Sequence, residues 1–291
     1  MLPANFTPAY LRQLELLKIR SRRAFLGSRQ GGHVSPKRGH GIEFADYRKY
    51  ELGDNPRHID WGVYARSDRV YVKRFQEEQD LSVLVLLDDS ASMDTPSGSG
   101  KWQRAKDIAL SFAYIALMQQ DRVCVSIPSS GDQPFSSGPR AIHRIAETLE
   151  SATVGAQYDF LSSAQRAISR VGFPGVAIFI SDLLMPLENT IAILDAMRAR
   201  NLDITVVQLL GPEDREISEG AMVAVDSETG EQLEIVVDQR LREEYRALMD
   251  SFNARLVDYF HSHSIAYVLC DARQPLTEFV VENLIRTGLV V

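Results

Sequence analysis

The sequence is poor in the residues and patterns that most chemistries need. Its 291 residues include only 2 cysteines, too few for a disulfide scaffold. Cys124 in "RVCVSI" and Cys270 in "IAYVLC" both stand inside apolar strand-like runs, where cysteine behaves as a small core residue. The 6 histidines show no zinc spacing; His261 and His263 are two apart and point away from each other on a helix. Neither a Walker loop nor a G-x-G-x-x-G fingerprint follows a strand, and no G-x-S-x-G elbow is present. No apolar run approaches the roughly 18 residues that span a bilayer. The opening "MLPANFTPAYLRQLELLKIRSRR" lacks the uninterrupted apolar core of a signal peptide. Internal repeats and low-complexity tracts are missing too. A reducing cytoplasm is the expected home.

What remains is an ordinary globular composition. With 45% hydrophobic residues and a net charge of −7, the chain can bury one large core plus an appendage, or two modest domains. The charge is uneven. Residues 1–38 carry Arg12, Lys18, Arg20, Arg22, Arg23, Arg29, Lys37 and Arg38 against Glu15 alone, a local balance of +7 that leaves −14 on the rest. Such an arm can serve nucleic acid or an acidic partner. With no aromatic stacking pattern interleaved, a solvated helix face and loop is the preferred reading, and nucleic acid is not an expected partner.

Residues 1–24 read as a short amphipathic helix with Leu11, Leu14, Leu16, Leu17 and Ile19 on one face. "GSRQGGHVSPKRGHG" (27–41) is a Gly-, Ser- and Arg-rich loop, so 1–38 form a basic N-terminal region. Residues 39–80 are dense in charge and aromatics, with a turn at Gly53-Asp54-Asn55-Pro56 and a strand at 70–75. They are read as an appendage packed on the main domain, residues 81–291, where the grammar changes. Strand-like runs at 81–88, 122–127, 175–181, 203–210 and 265–270 are mostly separated by helical patterns at 101–120, 139–151 with 159–171, 188–200 and 238–262. A last helix covers 275–286. Strands apolar on both faces, alternating with helices, predict an open, mostly parallel α/β sheet covered on each side. Gly211 to Val237 breaks the alternation, and "AMVAVDSETGEQLEIVV" predicts a β-hairpin insertion turning at Thr229-Gly230.

The first strand, "LSVLVLLDDSASM" (81–93), ends in a way few strands do. Asp88, Ser90 and Ser92 fall within five residues where the buried run reaches the surface, and "GVAIFISDLL" likewise ends in Asp182. Ligands of open α/β sheets gather beyond the carboxyl ends of the strands, near the point where strand order reverses. If the two strands are neighbours, two carboxylates and two hydroxyls converge, a donor set suited to a hard cation such as Mg²⁺. Neutral hydroxyls leave the metal charge free to attract one further anionic oxygen, which a partner's Asp or Glu can supply.

This D-x-S-x-S stretch resembles the metal-ion-dependent adhesion site of von Willebrand factor A domains. "GIEFADYRKYELGDNPRHIDWGVYARSDRVYVKRFQEEQD" followed by "LLDDSASM" closely resembles the bacterial domain-of-unknown-function family 58, which joins such a segment to a von Willebrand A-like domain. "GEQLEIVVDQRLREEYRALMDSFNARLVDYFHSHSIAYVLCDARQPL" extends the resemblance, which covers about residues 39–287. It implies a Rossmann-like sheet of order 3-2-1-4-5-6, with Asp88 and Asp182 side by side and Cys124 beyond disulfide reach of Cys270. It implies Mg²⁺, with Mn²⁺ or Ca²⁺ as alternatives, held by Asp88, Ser90, Ser92 and Asp182. Tyr158 stands where the family site takes a threonine, and Thr153 or Asp159 are its possible substitutes. Gly211 in "LLGPED" stands where relatives commonly carry an aspartate, and no role is assigned to it.

The resemblance further implies a non-catalytic adaptor or chaperone-like partner of a MoxR-type AAA+ ATPase, assembling a client complex or inserting metal into it through an acidic side chain. Arg48, Asp54, Arg57, Asp60, Trp61 and Arg66 form a second cluster. It reads either as a docking surface, with Arg48, Arg57, Asp60 and Arg66 meeting the partner, or as an ion-pair network anchored by Trp61; the network is preferred. Asp89, Asp121 and Asp203 read as solvated, and Ser181 as orienting the loop. An aspartate ending a first strand can also be a phosphoryl-accepting nucleophile. Ser90 and Ser92 stand where haloacid-dehalogenase-like phosphatases place Asp and Thr or Val, so the phosphatase is an alternative, beside nucleic-acid binding through the basic N-terminus.

Overall fold

Strands that are apolar on both faces need cover on both sides. The structure, a computed structural model, supplies that cover and describes residues 2–21, 42–77, 80–155, 159–225, 232–286 and 288–291. The chain falls into two units, Met1–Ser28 with Leu81–Val291, and Arg29–Asp80. In chain order the elements are α1 (Pro8–Glu15), β1 (Ile42–Lys49), α2 (Trp61–Ser67), β2 (Tyr71–Glu77), β3 (Ser82–Leu87), α3 (Lys101–Met118), β4 (Arg122–Ser126), α4 (Ala141–Ser151), α5 (Phe160–Ser169), β5 (Gly175–Ser181), α6 (Leu187–Ala199), β6 (Asp203–Leu210), the one-turn α7 (Pro212–Arg215), β7 (Gly220–Val225), β8 (Gln232–Val237), α8 (Gln239–Ser262) and β9 (Ala266–Asp271). Short helical turns occupy 276–286.

Five strands form a parallel sheet in the order β4-β3-β5-β6-β9. The two-residue period of a strand sends Val83, Val85 and Leu87 of β3 to one face, where Ile108 and Phe112 of α3 and Ile142 of α4 cover them. Leu84 and Leu86 face the other side, under Ile168 of α5, Ile193 of α6 and Phe260 of α8. Each such side chain contributes about 1.5–3 kcal/mol when fully buried. The sheet centre therefore holds the unit together, and β3 and β5 lie in the middle of it.

The expected six-strand order becomes five among the described residues. The place beyond β4 is taken by a single antiparallel bridge, Val123 to Ser136. The segment that would supply the strand, "PSSGDQPFSSGPR", holds prolines and glycines, which remove ladder donors and weaken strands. Cys124 and Cys270 belong to strands at opposite edges of the sheet and are free and buried.

Several elements depart from their sequence reading. The N-terminal helix ends at Glu15, not near 24, because Lys18 and Arg20 pair their backbones with Val291 and Leu289 around an Ile19–Val290 bridge. Phe6, Tyr10, Leu14, Leu17 and Ile19 are buried in the core cluster that includes α3, while Leu16 is exposed. Asp89, Asp121 and Asp203 are buried, not solvated. A backbone N–H compensates two of them, as Asp121 accepts from Leu81 N and Asp89 from Ser129 N. β7 and β8 form the expected antiparallel hairpin; its turn at Thr229-Gly230 lies outside the described residues.

The Arg29–Asp80 unit contains an antiparallel β1–β2 ribbon with an irregularity between Phe44 and Asp46. Asn55 opens a short helical turn at Pro56–His58. Asp60 caps α2 by accepting from Gly62 N and Val63 N at 2.9 and 3.1 Å, and it also accepts from the Tyr47 hydroxyl. Trp61 is 62% exposed and meets Tyr64 edge-on.

Candidate functional site

The site begins as an extension of the sheet. Beyond the last β3–β5 pair, Leu87 with Ile180, Asp88 N still donates to Ile180 O at 2.9 Å. That extra rung holds Asp88 beside the end of β5, where Ser181 and Asp182 emerge. Asp88, Ser181 and Asp182 are fully buried. The Ser90 N–H donates to Asp88 Oδ1 at 2.9 Å, turning the chain into a short helical turn, Ala91–Asp94. This is the local turn that aspartate side chains favour, and it leaves the Ser90 and Ser92 hydroxyls 3.0 Å apart. The Ser92 hydroxyl lies on the Asp182 side and lowers the proton affinity of its carboxylate.

On the β5 side, the Ser181 hydroxyl donates to Asp88 Oδ2 at 2.5 Å and accepts from Leu183 N at 2.8 Å. Leu183 is a buried leucine with φ +61°, a left-handed conformation that a branched side chain adopts at a cost of about 1–3 kcal/mol. The tight turn aims Asp182, whose Oδ1 accepts from Leu184 N at 3.1 Å. Asp182 and Asp88 thus come from adjacent strand tips, and Ser181, next to Asp182 in the chain, bonds Asp88.

Electrostatics mark the pair as short of positive charge. Burial, and then the neighbouring Asp182 charge, raise the Asp88 carboxyl from 3.8 to about 7, against the lowering pull of its bonds to Ser181 and Ser90. Burial likewise raises Asp182; the Lys101 ammonium, the Leu184 N–H and the Ser92 hydroxyl oppose that rise. Two carboxylates held in a dry site are relieved by a proton or by a cation.

Two residues of the site went unread in the sequence. Lys101, the first residue of α3, is 1% exposed. Its Nζ lies 2.8 Å from Asp214 Oδ1 and 3.3 Å from Asp182 Oδ2. Asp214 sits in α7, and its other oxygen accepts from Gly211 N at 2.7 Å. The sequence signals were faint: a lysine opening a helix that also carries Arg104, Lys106 and Asp107, and an aspartate three residues after a glycine.

The other expected site residues that the structure describes are bonded locally. Asp159 caps α5, accepting from the Ser162 N–H at 3.1 Å and from the Ser162 hydroxyl. It is exposed, and those bonds hold its carboxyl below the usual range. Tyr158 lies outside the described residues. Arg48 pairs with Asp54 and Glu51 at 2.5 and 2.9 Å, and Arg66 Nε donates to Gly62 O at 3.1 Å. Asp60 is the α2 cap, and Arg57 is exposed. All four docking candidates have bonds inside their own unit, Arg57 through its backbone N–H to Asn55 Oδ1 at 3.1 Å. Among the described residues, no group of three or more His, Cys, Asp and Glu stands in a metal-holding arrangement. The oxygen donors at the two strand ends include both aspartates with Ser90 and Ser92.

An open α/β sheet with paired acids and hydroxyls at its carboxyl edge is the class of protein that the fold and the site define. The chain belongs to the DUF58 family, described as "Protein of unknown function DUF58", which it matches over residues 46–254. It is 26% identical over 246 residues to the uncharacterized proteins Mb1516 of Mycobacterium bovis and Rv1480 of Mycobacterium tuberculosis, covering 82% of this chain and 77% of theirs. Among solved structures it is similar to the conserved hypothetical protein BatB of Bacteroides thetaiotaomicron, with 14% identity and a TM-score of 0.42 over 72% of this chain and 98% of that one. An aerotolerance-related membrane protein of Bacteroides fragilis gives 13% and 0.43 over 71% and 98%. No helix among the described residues is long and apolar enough to cross a membrane.

Proposed function

We propose that this chain is a non-catalytic interaction module with a von Willebrand A-like sheet and an adhesion-type cation site at its carboxyl edge. Asp88, Ser90, Ser92 and Asp182 would hold Mg²⁺, or Mn²⁺ or Ca²⁺ in its place. The bound cation supplies the positive charge that an acidic side chain of the partner completes. The observation that carries the reading is the pair of fully buried carboxylates, Asp88 and Asp182, on neighbouring strand ends, with the Ser181 hydroxyl on Asp88 and the Ser90 and Ser92 hydroxyls 3.0 Å apart in the adjoining turn. The donors are all oxygen, the set a hard dication prefers, and their mutual repulsion gives the cation something to relieve. The partner in this reading is a MoxR-type AAA+ ATPase, with the chain acting in the cytoplasm as an adaptor in assembly of a client complex.

The phosphatase alternative needs a free carboxylate nucleophile. Both Asp88 oxygens accept hydrogen bonds, and its raised proton affinity works against attack near neutral pH. The proposal is tested by retention of the ATPase on the immobilised chain in Mg²⁺ and in chelator. Retention lost in chelator and in Asp88→Ala is expected; retention indifferent to both overturns metal-bridged docking.

A further inference from the structure

The buried lysine is what the functional reading leaves unexplained. An ammonium group is costly to bury without partners, yet Lys101 Nζ sits inside the site with two carboxylates around it. Its shares are unequal: 2.8 Å to Asp214 and 3.3 Å to Asp182. Asp214 is anchored independently of the lysine. Its Oδ2 takes the Gly211 N–H at 2.7 Å, and its carbonyl accepts from the Tyr245 hydroxyl at 2.9 Å. The acid therefore holds the ammonium toward α7.

Charge decides what that accomplishes. Lys101 and Asp214 cancel, which leaves Asp88 and Asp182 as the charges a dication would balance. Without Asp214 the ammonium would have Asp182 as its remaining anionic partner at contact distance. It would then compete directly for the oxygens a metal needs.

We propose that Lys101 is a positioning residue through which Asp214, although it bonds neither Asp88 nor the serines, sets how much of Asp182 is available to a divalent cation. The inference rests on the cation reading given above and adds an internal rival to it. The affinity of the site is governed from the β6–α7 loop, and Lys101 is the part that moves.

The experiment is Mg²⁺ titration by calorimetry into wild type, Asp214→Asn, and the charge-balanced Lys101→Met/Asp214→Asn. Loss of Asp214 alone weakens Mg²⁺ binding at least tenfold, because the ammonium passes to Asp182. Removing the lysine as well brings affinity back to within about threefold of wild type, which a merely structural role for Asp214 would not do. Wild-type affinity in Asp214→Asn, or a double variant as weak as the single, overturns the proposal. A second readout uses no metal. In chelator, the coupling in unfolding midpoint between Lys101→Met and Asp182→Asn is measured with Asp214 and with Asn in its place. Coupling that grows on loss of Asp214 supports the sharing of the ammonium even in a chain that takes up no Mg²⁺, an outcome that defeats the cation reading alone. Unchanged coupling overturns the role of Lys101, whatever the metal does.

Discussion

At the residue scale, the account turns on how a buried acid is compensated. The Asp88 carboxyl rises from 3.8 to about 7 in the folded chain, so between those values the folded state keeps a proton that the unfolded state has lost. By linkage, stability falls as pH rises through that window: the contribution is complete below about pH 4 and gone by about pH 7. In chelator, wild type should lose several degrees of Tm between pH 5 and 8. Asp88→Asn, neutral throughout, should lose much less and overtake wild type at pH 8. Parallel pH curves for the two would contradict this. Asp88, Ser90, Ser92 and Asp182 were legible in the sequence because each comes directly from a strand ending, a local event. Lys101 and Asp214 were not, since the contacts that give them meaning span 81 and 113 residues. Asp89 and Asp121 are buried for a related reason: distant backbone N–H groups, Ser129 N and Leu81 N, reach their carboxylates, and sequence does not reveal which amide will be near.

At the element scale, strands were read best. The five runs match β3, β4, β5, β6 and β9 to within about a residue because each is predominantly apolar and bounded by polar or turn residues. α1 was overextended, since tertiary pairing of residues 18–20 with the 289–291 backbone took over where local periodicity still favoured helix. β5 starts at Gly175 in a closely packed place, where an added Cβ would stand 2.6 Å from Gly172 O and 2.7 Å from the Leu202 side chain. Gly175→Ala should therefore destabilise by about 1–3 kcal/mol, the range for overpacking, as read from the urea midpoint; a neutral substitution would show that β5 can shift freely. In the other unit, Asp60→Ala removes the α2 cap and should cost about 1 kcal/mol without altering Mg²⁺ uptake. A loss of uptake would tie that cluster to the cation site.

At the scale of the whole molecule, the basic N-terminus is also a part of the core. Leu14, Leu17 and Ile19, from the apolar face read in the sequence, are buried with Phe6 and Tyr10 in the cluster that includes α3. Removing residues 2–20 strips several large side chains, each contributing about 1.5–3 kcal/mol, from a fold whose net stability is typically about 5–15 kcal/mol. The truncated chain should fail to give a cooperative thermal transition; an unchanged Tm would show that the segment is dispensable.

The central claim is that the Asp88–Asp182 pair takes up a divalent cation, and calorimetric titration of Mg²⁺ at pH 8 tests it most directly. Saturable one-site binding in wild type that disappears in a folded Asp88→Ala chain is the predicted result. Identical heats from the two proteins, or none from either, would contradict it.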